Sequence, residues 1–123
     1  RQVNVQILPD TDKITTGQLV VKLFQSEPVA DKIQPRILRA GLYVGETLIS
    51  NDPQPELTFD SASAEQRDRY QTIQLLLGKG ANDYNNRTVE FRLEERIPNT
   101  NQWRAYEKSM YTLKRSFTSD FDF

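Results

Sequence analysis

Apolar and polar side chains alternate with a period of two along much of this chain, the pattern of strands with one face buried. Val3, Val5 and Ile7 alternate with Asn4 and Gln6, and Leu19, Val21 and Leu23 alternate with Val20, Lys22 and Phe24. These runs predict strands near 3–7 and 18–25, joined through a turn region bracketed by Pro9-Asp10 and Gly17. The next stretch, SEPVADKIQP, carries two prolines and scattered charges, so it reads as a crossing loop. RILRAGLYV follows as a third strand, and Gly45-Glu46 fits a two-residue type II′ hairpin turn into TLIS. NDPQP breaks the chain again, and Leu57 with Phe59 marks a short strand.

The stretch SASAEQRDRYQTIQLLLG supports two readings. Ser61 can cap a helix, and Tyr70, Ile73 and Leu77 recur at helical spacing. Against this, Tyr70, Thr72 and Ile73 favour a strand, and Ile73, Leu75 and Leu77 alternate, so a strand is expected over 69–77. After the polar loop GKGANDYNN comes TVEFRLEERI, with Val89, Phe91 and Leu93 inward and Glu90, Arg92 and Glu94 outward. PNTNQW connects it to RAYEKSMYTLKRS. Pairing Val89 with Leu113 and Phe91 with Tyr111 sets apolar side chains opposite one another. The same register faces Glu94 with Lys108 and Glu95 with Glu107, a like-charge pair that a β-bulge would relieve.

About seven to eight short strands with turn signals between them predict an all-β fold, an antiparallel two-sheet immunoglobulin-like β-sandwich. The 123 residues make a single domain, large enough to bury roughly two thirds of its unfolded surface. The chain opens on Arg1 and enters a strand pattern at Val3, which reads as a piece cut from a longer chain.

Composition narrows the chemistry. The chain has no cysteine and no histidine, which removes Ser-His-Asp and Cys-His catalysis, zinc hydrolase sites and CxxC redox chemistry from this segment. Net charge is −1, with sixteen Lys and Arg against seventeen Asp and Glu spread evenly. There is no basic field for a nucleic-acid backbone. No apolar run is long enough to span a membrane and the first residues lack the marks of a signal peptide, so the segment reads as soluble.

Four places invite a functional reading. GKG at 78–80 lacks the spacing of a phosphate loop and reads as a turn. ANDYNN offers Asx side chains to calcium but not in EF-hand order. The acid pairs Glu94-Glu95 and Asp120-Asp122 have the residue types of a glycosidase couple, yet nothing near them predicts a cleft. Trp103 in NTNQW can stack on a sugar, with Asn99, Asn101 and Gln102 bonding its hydroxyls, or fold over the end of a hairpin. In the terminal RSFTSDFDF, Phe117, Phe121 and Phe123 share the parity of Tyr111 and Leu113. Phe117 fits the core face; Phe121 and Phe123 fit either core packing or docking on a neighbour, and in the second case Asp120, Phe121, Asp122 and Phe123 are the candidate partner-binding residues.

RTVEFRLEERIPNTNQWRAYEKSMYTLKRSFTSDFDF, with RYQTIQLLLGKGANDY ahead of it, resembles the C-terminal end of PglZ proteins from bacteriophage exclusion (BREX) defence systems. The RLEE…IP stretch and the DFDF ending carry the resemblance. It implies a bacterial cytoplasmic parent of the alkaline phosphatase superfamily, with a divalent metal of the zinc type in its catalytic core. None of that core's ligand positions falls on this segment, which is expected to hold no cofactor of its own. The resemblance implies a non-catalytic accessory domain whose partners are the rest of the parent chain and other phage-defence proteins such as a methyltransferase. The competing reading is a carbohydrate-binding sandwich that uses Trp103.

Overall fold

The computed structural model describes residues 3–8, 13–15, 17–25, 36–59 and 70–114. They form nine β-strands and one 3-10 helix: β1 (Val3–Leu8), β2 (Lys13–Ile14), β3 (Gln18–Gln25), β4 (Arg36–Val44), β5 (Thr47–Leu48), β6 (Glu56–Phe59), β7 (Tyr70–Leu76), the helix Lys79–Tyr84, β8 (Thr88–Arg96) and β9 (Trp103–Leu113). The fold is all-β, as the alternation predicts.

Three strands pair in the order β1-β3-β7, and six belong to a second sheet ordered β2-β9-β8-β4-β5, with β6 also on β4. β5 and β6 share the edge of β4 that β8 leaves free: Tyr43 and Val44 pair with Leu48 and Thr47, and Arg36 through Arg39 pair with Phe59 through Glu56. A single bridge between Ser50 and Leu77 links this edge to the end of β7. The Leu76 N–H donates to Asn51 Oδ1 at 3.1 Å, so the segment after β5 stitches the sheets together, while the Leu77 N–H donates to the Gly17 carbonyl at 2.7 Å within the three-stranded sheet.

Both sheets feed one core. Leu19, Val21 and Leu23 of β3 and Ile73 and Leu75 of β7 meet Leu38, Ala40 and Leu42 of β4 and Val89, Phe91 and Leu93 of β8. Every second residue of β8 is buried, as a strand with one wet face requires. The contested stretch holds the strand β7: Ile73, Leu75 and, just past its end, Leu77 are buried while Thr72 and Gln74 are exposed. The β4–β5 connection is a two-residue turn in which Gly45 takes φ +60° and Glu46 does not enter that region, matching the expected II′ geometry.

Three details depart from the sequence reading. First, the sheets are not wholly antiparallel, because β2 runs parallel to β9. Two residues are too few to show a period, so β2 is invisible in the pattern; its Ile14 is nonetheless fully buried, and its carbonyl accepts from the Lys114 N–H at 2.7 Å. Second, Val89 pairs with Tyr111 and Phe91 with Ser109, two residues away from the expected register. A shift of two keeps every side chain on its face, so the hydrophobic pattern cannot tell the alternatives apart. The chain's return decides: Leu113 closes the ladder against the turn before β8, donating to the Arg87 carbonyl and accepting from the Asn86 N–H. Third, the bulge lies between Leu93 and Glu94, where Leu93 faces Glu107 and Glu94 faces Ala105. Tyr106 is its extra residue.

Candidate functional site

The bulge sets which side chains share a face. Before it, Glu107, Ser109 and Tyr111 lie opposite the core residues of β8; after it the parity flips, and Arg104 lies opposite Glu95 while Trp103 lies opposite Arg96. Arg104 therefore joins the inner face and Trp103 the outer.

At the inner end of the core, Glu95 is a buried carboxylate held on two sides. Arg36 on β4 donates from Nε to Oε2 at 2.6 Å and from Nη2 to Oε1 at 2.8 Å, a bidentate pair. Arg104 Nη2 stands 3.5 Å from Oε1. The Arg36 guanidinium also lies 5.1 Å from the centre of the Tyr106 ring. Hydrogen bonding from Arg36 holds the Glu95 carboxyl below its ordinary range against the opposing effect of burial, and the same bond raises the Arg36 guanidinium.

The outer face of β4, β8 and β9 is a ladder of arginines on aromatic rings. Arg39 pairs with Glu94 at 3.0 Å and lies 4.3 Å from the centre of the Trp103 ring. Arg92 pairs with Glu90, donates to the Gly45 carbonyl at 2.9 Å and lies 4.1 Å from the centre of the Tyr43 ring. Burial, followed by the charge of Glu94, pushes the Tyr43 hydroxyl up. Hydrogen bonding to Glu90 raises Arg92. A Cβ at position 41 would sit 2.7 Å from Gln54 Nε2 and 2.8 Å from Leu48 Cδ1, so a larger residue than Gly41 would have to displace the ends of these two side chains. Met110, on the same face of β9, is 57% exposed.

A cleft of about 330 Å³ lies between β5 and the 3-10 helix, lined in part by Thr47, Ile49, Asp83 and Tyr84. Gly78 and Gly80 of the GKG run stand at its wall. The Ala81 N–H donates to the Gly78 carbonyl at 3.1 Å, which spends one backbone donor on the turn itself. The Asx run continues in the same way: the Asn85 N–H donates to the Asn82 carbonyl, and Asn86 adopts φ +64°.

The sequence-derived sites fare differently. Glu94 and Glu95 project to opposite faces and each is bound to an arginine, so they do not form an acid–base couple. Trp103 has Arg39 over its ring, which occupies one face on which a sugar would stack. Asp120, Phe121, Asp122, Phe123 and Phe117 lie outside the described residues. The donor set does not fit a zinc-type centre: the chain has neither imidazole nor thiolate, and among the described residues no three carboxylates gather in one place. Sequence reasoning missed Arg39, Arg92 and Tyr43. Their polar or aromatic alternation gave a face, but only the pairing of β4 with β8 brings them together.

No family model matches this chain, and no curated protein does. One solved crystal structure, of a protein from Archaeoglobus fulgidus, aligns over 91% of this chain and 95% of the other at 14% identity with a TM-score of 0.42. A likeness of that size bears on neither the fold nor the chemistry.

Proposed function

We propose that this chain is a non-catalytic interaction domain, an immunoglobulin-like sandwich that serves as the C-terminal accessory part of a PglZ-like phosphatase in bacterial phage defence. The observation that carries the interaction reading is the outer face of β4, β8 and β9. Arginine, tryptophan, tyrosine and methionine are the side chains that interfaces favour, and here they are gathered on one sheet with Met110 exposed on β9. The rings are held in place by cations before any partner arrives, which lowers the entropy lost on docking. The partners in this reading are the rest of the parent chain and companion defence proteins such as a methyltransferase, in the cytoplasm. Asp120, Phe121, Asp122 and Phe123 add a second contact, argued from their alternation of acids and rings alone.

The reading is tested by producing the phosphatase core of a PglZ-like protein and this chain as separate polypeptides and measuring their association by sedimentation. A defined complex is expected, weakened about tenfold by Met110→Asp, with the melting temperature of the domain unchanged. Absence of association, or turnover of a phosphate ester by this chain alone, would overturn it.

A further inference from the structure

The charges on the outer face are unevenly paired, and the unpaired ones have a definite place. From β4, β8 and β9 that face carries Arg39, Arg92, Arg96 and Lys108 against Glu90 and Glu94, and Glu56 of β6 stands opposite Arg39. Arg39 is taken by Glu94 and Arg92 by Glu90, with Glu46 3.7 Å away at the turn. Among the described residues, Arg96 and Lys108 form no ion pair. Lys108 moreover stands directly opposite Arg92 across the β8–β9 ladder, a like-charge pairing that weakens a sheet unless an anion lies over it. Between Trp103 and Lys108 along this face comes Ala105, the smallest side chain in the row. Among the described residues, the face thus has a low point at Ala105, opposite Glu94, flanked by the Trp103 indole, the unpaired Lys108 ammonium and, across the ladder from Trp103, the unpaired Arg96 guanidinium.

We propose that this notch takes an acidic segment of a partner protein, with a carboxylate set between Lys108 and Arg96 and an apolar side chain against Met110. The inference rests on the interaction reading above and names the chemistry of the partner. Nucleic acid fits less well, because Glu90 and Glu94 interrupt the cations and would face a run of phosphates, while the exposed Met110 calls for an apolar contact. An acidic segment instead sets a carboxylate beside the two cations that lack one, on a strand whose outer row already alternates in sign.

Trp103 is the chain's only tryptophan and borders the notch, so its fluorescence reports on this face alone. The intact chain is titrated with a synthetic peptide of alternating glutamate and leucine, with its lysine–leucine counterpart, and with a single-stranded oligonucleotide. A saturable change is expected with the glutamate peptide only, lost at high salt. Lys108 is exposed, so Lys108→Glu leaves the domain folded; it should weaken the acidic peptide about tenfold and create binding of the lysine peptide. The proposal fails if the acidic peptide gives no saturable change, if Lys108→Glu leaves its affinity intact, or if the oligonucleotide binds better. Should the acidic peptide fail while Met110→Asp still weakens association with the phosphatase core, the interaction reading stands and the acidic-partner inference falls.

Discussion

On the inner side of β8, Val89, Phe91 and Leu93 have no exposed surface and Glu95 keeps 7%, whereas Glu90, Arg92, Glu94 and Arg96 on the outer side are all half-buried. The residues alternate along one strand, so the local backbone is common to both. Inside, removal of apolar area from water governs, and the single charge is accepted only at the end of the core, gripped by two hydrogen bonds from Arg36. Outside, charges of both signs lie in wetter surroundings, with Arg39 and Arg92 each shared between a carboxylate and a ring. Such pairs contribute little to folding and much to the identity of the surface. Stability is thereby assigned to the inner residues of the strand, and the proposed recognition to the outer ones.

The sharpest way to break that division is to truncate one residue on each side. Phe91→Ala should destabilise the domain by about 3–5 kcal/mol in a urea titration. Arg92→Ala, next along the strand, should lose no more than about 1 kcal/mol. If the two losses were equal, the outer face would be part of the folding core rather than a surface laid over it.

The inner charge gives the next largest effect. Arg36→Ala strips Glu95 of its bidentate partner and leaves Arg104 in reach, so a loss of about 2–3 kcal/mol is expected at neutral pH. Glu95 has a lowered pKa in the folded state, chiefly through its bonds to Arg36. Its contribution is therefore present above the ordinary carboxylate range and is lost as pH falls through that range to the folded value. Urea titrations across acid pH should show this loss in the native chain and a flatter profile in Glu95→Gln. Equal profiles would show that the ion pair does not govern the acid limb.

The smallest effect belongs to Lys108→Glu. Replacing a cation opposite Arg92 by an anion should leave stability unchanged or raise it by about 0.5 kcal/mol, read from the thermal midpoint. A clear loss would mean that Lys108 supports the sheet, and the outer face would no longer be free for recognition.

Much of the fold was legible in the sequence because burial on one face imposes a period of two. The strands around Val21, Phe91 and Ile73, the inward set Val89, Phe91 and Leu93, and the Gly45-Glu46 turn all follow from side-chain type and local backbone preference. What escaped was information that lies between strands. β2 is two residues long and shows no period, and its place beside β9 depends on Lys114 returning to the Ile14 carbonyl. The β8–β9 register was off by two because parity is blind to an even shift, and the closing bonds of Leu113 set it. Most consequential is the bulge at Tyr106. Simple alternation places Trp103 with Glu107; the extra residue turns Trp103 outward beneath Arg39 and Arg104 inward toward Glu95. Composition alone removed imidazole and thiolate chemistry from this chain, and periodicity alone made it a β protein. Apart from the Arg92–Glu90 pair within β8, which arginine meets which ring or carboxylate was decided only by strand pairing, since those contacts join residues as far apart in sequence as Arg36 and Glu95.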